Sequence, residues 1–279
     1  MRGIYITLEY IEIYHEIKDL LRYTSSSSVR VKILICLSEG KQNMNEIKKE
    51  TDISSSTISH NLSNLEKKKI TTKEGEKYIL TPFGNLITSN LIENMKTTAV
   101  ITKFQKFWLN HDLSSIPPKL IKEMGDLYNA SLVESESGEI YKPHETYQGI
   151  ILKSNYIKGV SSIFRFNYIE LFRNIIENEI DVELILTDNI ISKIMEGIDS
   201  ESLKHLKNSM SQDKVKLMVI NNDVRIAFTV TDKYLSLGLF HEQGDYDNTK
   251  DLISDDHDAV AWGNKLFEYY RNQSQEFEI

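Results

Sequence analysis

Residues 52–80 read DISSSTISHNLSNLEKKKITTKEGEKYIL, and the N-terminal third of the chain takes its fold from them. Ile58, Leu62 and Leu65 fall at the i, i+4, i+7 spacing of an amphipathic helix. Ser55, Ser56, Ser59, His60, Ser63 and Asn64 occupy most of the opposite face. Serine is a weak helix former because its hydroxyl competes for backbone partners, so a serine-rich face is an odd choice for solubility alone. Lys67, Lys68 and Lys69 follow, and two short alternating stretches then meet at Glu74-Gly75. A short helix with small polar side chains, followed by a basic hairpin, has the dimensions to enter a DNA major groove and hold a flanking phosphate.

The residues before this stretch complete the unit. Residues 29–38 predict a helix that Gly40 closes. Asn43 or Asn45 starts a second, short helix ending near Thr51, and Ser54 caps the third. After it, Ile70 and Thr72 are expected to pair with Tyr78 and Leu80 across the Glu-Gly turn. Three helices and a hairpin make a winged helix-turn-helix. Further upstream, Leu8, Ile11, Tyr14, Ile17 and Leu21 form a helical stripe that must be buried on something, and a second subunit would serve. Ser25 to Ser28 read as a loop and a helix cap.

The 279 residues suit two domains, and the 40% hydrophobic content is enough for real cores. No apolar run is long enough to cross a membrane, and Glu9, Glu12, Glu16 and Asp19 argue against a signal peptide. The single cysteine, Cys36, sits in the apolar run VKILICL and reads as a small buried hydrophobe. A reducing, cytoplasmic setting is the expectation. The formal charge of −8 is unevenly spread: residues 1–90 carry 13 Lys and Arg against 11 Asp and Glu, and residues 91–279 carry 20 against 30. Only the N-terminal third has a field that attracts phosphates.

From Pro82 a connecting helix is expected, broken near Thr97-Thr98, with a non-helical junction at the Pro117-Pro118 pair. Beyond it helices are expected at 119–128, 168–178 and 190–210, and a helical or mixed stretch at 147–157. Strands are expected at 159–164, 182–187, 215–220, 224–230 and 234–240, with a last amphipathic helix carrying Trp262, Leu266, Phe267 and Tyr270. The expected fold class is therefore mixed, α+β or α/β. A winged helix-turn-helix occupies 1–90, a connecting helix and junction 91–118, and an α/β regulatory domain 119–279.

For DNA contact, Ser55, Ser56, Ser59 and His60 are placed for base edges, and Asn64 for adenine. Ser54 and Ser63 belong to the same surface, Thr57 and Lys67 suit phosphates, and Lys73 and Lys77 flank the wing tip. The acidic segment GDYDNTKDLISDDHD fails as a calcium loop because Lys250 stands where glycine is required. His241, His257 and nearby acids are read as solvent-facing, so no metal site and no cofactor are assigned. The commoner catalytic signatures are missing, and the chain is read as no enzyme.

Taken with FWLNHDLSSIPPKL, VTDKYLSLGLF, GDYD and AVAWGNKLFEYY, the segments VRVKILICLSEG, STISHNLSNLE and YILTPFG give a resemblance. The chain resembles archaeal winged-helix transcription regulators of the methanogenesis-regulator type, whose N-terminal part is shared with ArsR-like proteins. The resemblance implies a cytoplasmic, homodimeric, DNA-binding regulator with a C-terminal sensor domain. That domain also looks distantly similar to the phospholipase D fold. With Asp232 aligned on that fold's acid, Arg225 stands in place of its histidine and Ala227 in place of its lysine, which removes the nucleophile. For a small-molecule effector the polar residues near strand ends are Ser161, Arg165, Arg225, Asp232 and His241. The alternatives are a phosphodiester-cleaving enzyme with a DNA-binding module, and a winged-helix protein-interaction factor.

Overall fold

A computed structural model of the chain describes residues 2–163, 178 and 180–279. The helix expected at 168–178 and the candidate Arg165 lie outside the described residues. The described residues form two compact units, 1–95 and 96–279.

In the first unit, α1 (Arg2–Ser25) leads into α2 (Ser28–Ser38), which Ser27 caps by accepting from the Arg30 N–H. A short strand β1 (Gln42–Asn43) precedes α3 (Met44–Thr51). Asn43 and Glu46 form a reciprocal capping box at the start of α3, which satisfies two otherwise orphaned donors. The turn into α4 (Ser55–Lys67) is made by Asp52 at φ +56, a left-handed conformation that aspartate tolerates. Ser54 caps α4 by accepting from the Thr57 N–H.

The wing is β2 (Thr71–Glu74) and β3 (Lys77–Leu80). Its register differs from the expected one: Thr71 faces Leu80, Lys73 faces Tyr78, and Glu74 faces Lys77. The turn residues are thus Gly75 and Glu76, not Glu74-Gly75, because Gly75 takes φ +61 at the first central position of a two-residue loop. β1 adds a third strand by pairing Gln42 with Tyr78, which two residues of sequence could not announce. The core joins Ile33, Leu34, Leu37, Ile47, Ile58, Leu62, Leu65, Ile70 and Leu80. Cys36 belongs to it, and burial, reinforced by the Glu50 carboxylate 2.9 Å away, pushes its thiol up to about 12. It stays protonated and unreactive at neutral pH.

α5 (Pro82–Lys103) is continuous, with no break at Thr97-Thr98. Thr81 starts it, bonding the carbonyl of Lys69 and accepting from the Gly84 N–H. A Cβ on Gly84 would fall 1.9 Å from the Ile70 carbonyl oxygen, so only glycine lets this first turn lie against the wing.

The second unit is built on an eight-stranded sheet of β4 (Ser131–Glu134), β5 (Tyr156–Ser161), β6 (Asp181–Thr187), β7 (Val215–Ile220), β8 (Ile226–Thr231), β9 (Leu235–Leu239), β10 (Lys250–Ser254) and β11 (Gln275–Glu276). Across the sheet the order is β11-β7-β6-β5-β8-β9-β10-β4. β5, β6 and β7 pair in parallel and the other neighbours are antiparallel, so the sheet is mixed. The expected 147–157 stretch divides between α8 (Lys142–Ile151) and β5, and 190–210 divides into α9 (Asp188–Gly197) and α10 (Ser200–Ser211). Asp199 caps α10 and forces that second break. β4 and β10 pair with each other and went unforeseen, the latter inside the acidic segment. Before the sheet come α6 (Gln105–Leu109), α7 (Pro118–Lys122) and a 3₁₀ turn at Met124–Leu127. α11 (His257–Arg271) covers the sheet with Trp262, Leu266, Phe267 and Tyr270. Tyr270 donates to the Ser115 carbonyl at 2.5 Å, and its burial pushes the phenol up to about 12.

Candidate nucleic-acid interface

The exposed surface of α4 follows from its sequence period. Ile58, Leu62 and Leu65 are buried, with Asn61 beside them bonding the Thr57 carbonyl at 2.9 Å. That fixes the helix's rotation and turns Ser55, Ser56, Ser59, His60, Ser63 and Lys67 out to solvent, with Ser54 exposed just before them. Thr57 and Asn64 are half-buried. Ser54 Oγ lies 2.8 Å from Thr57 Oγ1 and 3.1 Å from Ser56 Oγ, so these hydroxyls preorganise one another at the helix start. Further along, Asn64 Nδ2 lies 3.1 Å from His60 Nε2. The helix presents donors and acceptors on short arms with the apolar side already anchored, as an element laid in a groove needs.

Lys73 and Lys77 are exposed on the two wing strands. Lys73 Nζ lies 5.5 Å from the Tyr78 ring, and Lys77 is 3.7 Å from Glu46 at the start of α3. Lys41 pairs with Glu74 at the wing tip. Exposed pairs of this kind are worth little and exchange readily for a phosphate. Lys68 Nζ sits 4.8 Å from the ring of Tyr23, which also carries the Arg30 guanidinium 4.2 Å away on α2. The α1 stripe is uncovered: Leu8, Ile11, Tyr14, Ile17 and Leu21 are between 44% and 54% exposed, while Leu20 and Tyr23 pack on the core.

The nominated effector residues are dispersed. Ser161 ends β5 beside a cleft shared with Tyr147, Phe228 and Thr229. Arg225 precedes β8 and bridges Asp112 at 3.2 Å and Asp223 at 3.1 Å. Asp232, in the β8–β9 turn, holds the Asn155 backbone at 3.0 Å and its side-chain amide at 2.7 Å. Burial pushes Asp232 up, but the Asn155 donors and Lys233 outweigh it and hold the carboxylate below its ordinary value. His241 lies elsewhere, stacked on the buried His111 with ring centroids 5.0 Å apart.

His111 was not singled out in the sequence. Its Nε2 lies 3.1 Å from Asp247, 136 residues away; the segments FWLNHDLSSIPPKL and GDYD hold the two residues, but no local pattern pairs them.

Two domain families match the chain: the N-terminal domain of methanogenesis regulatory protein FilR1 over residues 17–99, and the middle domain of the same protein over residues 140–273. Among curated proteins, methanogenesis regulatory protein FilR1 of Methanothrix harundinacea (strain 6Ac) is 27% identical over 255 residues. That alignment takes in 91% of this chain, and the chain spans only 57% of the relative's length. Among solved structures, TrmBL2, an archaeal chromatin protein described with a novel mode of DNA binding, aligns at 13% identity and TM-score 0.42 over 96% of this chain and 98% of its own. The transcriptional repressor BigR from Xylella fastidiosa aligns at 23% identity and TM-score 0.27 over 30% of this chain and 88% of its own. Similarity at these TM-scores is too low to bear on function. The domain matches, which together take in most of the sequence, do bear on it: the chain belongs to the FilR1 family of methanogenesis regulatory proteins.

Proposed function

We propose that this regulator of the FilR1 type binds double-stranded DNA as a homodimer, with α4 in the major groove and the second unit answering to an effector. The observation that carries the reading is the outward polar face of α4, capped by Ser54 and locked by Ile58, Leu62 and Leu65, with wing lysines beside it. Residues 1–90 supply the reader, 91–118 the connection and 119–279 the regulatory part. A coupling of about 1–3 kcal/mol between effector and DNA would make a useful switch. Catalysis finds no support on β8, where Ala227 offers no charged or nucleophilic group.

Titrating the protein into its own upstream DNA across a salt series tests the reading. Affinity is expected to fall linearly on a log–log scale, with a slope of about −0.9 per phosphate neutralised. Salt-independent binding would favour a protein-interaction role and sink this one.

The second subunit is argued from α1. A row of five half-exposed apolar side chains on one helix is the surface that a copy of the same helix would cover. Ile11→Glu with Ile17→Glu is expected to halve the mass seen by light scattering. It is also expected to weaken binding to a two-half-site duplex on the order of 100-fold, as the second contact ceases to be intramolecular. An unchanged mass would place the interface elsewhere.

A further inference from the structure

His111 meets His241 and Asp247, both from the β9–β10 connection, in the second unit. His111 and Asp247 are buried, whereas His241 is half-buried and faces a cleft of about 530 Å³. The hydrogen bonds fix what each ring presents. Nδ1 of His111 lies 2.6 Å from the Phe107 carbonyl oxygen, and Nδ1 of His241 lies 3.0 Å from that of Asn110. A carbonyl only accepts, so each Nδ1 carries the hydrogen, and in a neutral ring Nε2 is then a bare lone pair. Both Nε2 atoms face Oδ2 of Asp247, at 3.1 Å and 3.9 Å. The other carboxylate oxygen is occupied by the Thr249 N–H at 2.9 Å and its hydroxyl at 2.5 Å.

Three acceptor atoms therefore lie together, all within 4.8 Å of one another. Protonating His111 alone would pair it with Asp247 at 3.1 Å but leave Nε2 of His241, 3.9 Å away, beyond hydrogen-bond reach of the carboxylate; protonating both would stack two imidazolium ions with planes only 13° apart. A cation answers the geometry better. Metal–ligand bonds of roughly 2.0–2.2 Å put neighbouring ligand atoms of a tetrahedral site roughly 3.4 Å apart. That lies between the two Nε2–Oδ2 distances. The surroundings also match what a bound ion requires: each histidine donates its other ring N–H to a carbonyl, and the carboxylate is oriented by Thr249.

We propose that His111, His241 and Asp247 bind a divalent transition-metal ion of the zinc type, with its fourth position open to the cleft. Two imidazoles and one carboxylate suit zinc or cobalt(II) and not calcium or magnesium, which take oxygen ligands. The ion would staple the end of α6 to the β9–β10 connection. The proposal stands whether or not α4 reads DNA.

Tag-free, full-length protein is stripped with a chelator, dialysed, and titrated calorimetrically with zinc chloride and spectroscopically with cobalt(II). One ion per chain is expected, with the strong visible bands of tetrahedral cobalt. Asp247→Asn and His241→Ala are each expected to weaken zinc binding by about 100-fold or more. His257→Ala, whose side chain is 96% exposed, should change nothing. Because His241 is half-exposed, its loss leaves the fold in place, and circular dichroism verifies that. Failure of the wild type to take up zinc would reduce the cluster to a His–Asp ion pair. Equal affinity in the wild type and the His241→Ala variant would put the metal elsewhere. Either outcome overturns the proposal.

Discussion

Trp262→Ala is expected to cost the second unit about 3–5 kcal/mol, the range for emptying a large aromatic from a packed core. Its side chain is fully buried and joins α11 to the sheet, and its indole N–H donates to the Leu120 carbonyl at 3.0 Å. The site has little room to collapse. A Cβ on the adjoining Gly263 would lie 2.7 Å from Leu235 Cδ1, so α11 already sits as close to β9 as its backbone allows. Trp262→Phe separates the two contributions: most of the ring stays, while the Leu120 carbonyl keeps only the Glu123 N–H at 3.1 Å, a loss of about 0.5–1.5 kcal/mol. Urea unfolding followed by fluorescence reads the unit directly, because the two tryptophans, Trp108 and Trp262, both lie in it. The midpoint is expected to fall with an unchanged slope, and Trp108 reports in each variant. A loss under about 1 kcal/mol for the alanine variant would mean that α11 is not what holds the sheet.

How much of this could be read in advance depended on the range of the contacts. In the first unit the signals are local: Asn43 with Glu46, Ser54 with Thr57, and the Ile58–Leu65 stripe act within one or two helical turns. The errors there were of a single register position, where Gly75 chose the turn and shifted the pairing from Ile70–Leu80 to Thr71–Leu80. In the second unit the strands β6 to β9 showed in their apolar runs, yet their order did not, because β5 lies between β6 and the sequence-distant β8. β4 and β10 carry too few apolar residues to stand out and are held by pairing, β10 on β9 and β4 on β10. The His111–Asp247 contact spans 136 residues: both residues sit in segments that carry the resemblance, FWLNHDLSSIPPKL and GDYD, but nothing local pairs them. Arg225 and Asp232, nominated as effector ligands, have ion-pair and loop-holding partners of their own. Polarity near a strand end could not tell those roles apart.

The paired change Ser59→Ala with His60→Ala is expected to flatten sequence preference, whereas Lys73→Ala is expected to weaken all duplexes alike. Ser59 and His60 project from the middle of α4, where side chains of a groove-bound helix meet base edges. A good base contact discriminates by about 1–3 kcal/mol, so losing both should cost about 2–6 kcal/mol, roughly 30-fold to more than 10⁴-fold in the ratio of operator to random DNA. His60 also lies 3.1 Å from Asn64, so its removal frees that amide to turn; His60→Gln alone tests whether the pair acts together. Lys73 stands on the wing and meets a phosphate at most, so its loss should leave the ratio intact and lower the salt slope by about 1. Misfolding cannot mimic the first result: both positions are exposed, and alanine is the better helix former, so α4 should be no less stable. Competition titrations of operator against random duplex at two salt concentrations separate the effects. If Lys73→Ala erased the preference as fully as the paired change, base reading would not reside on α4, and the wing would have to be the recognising element.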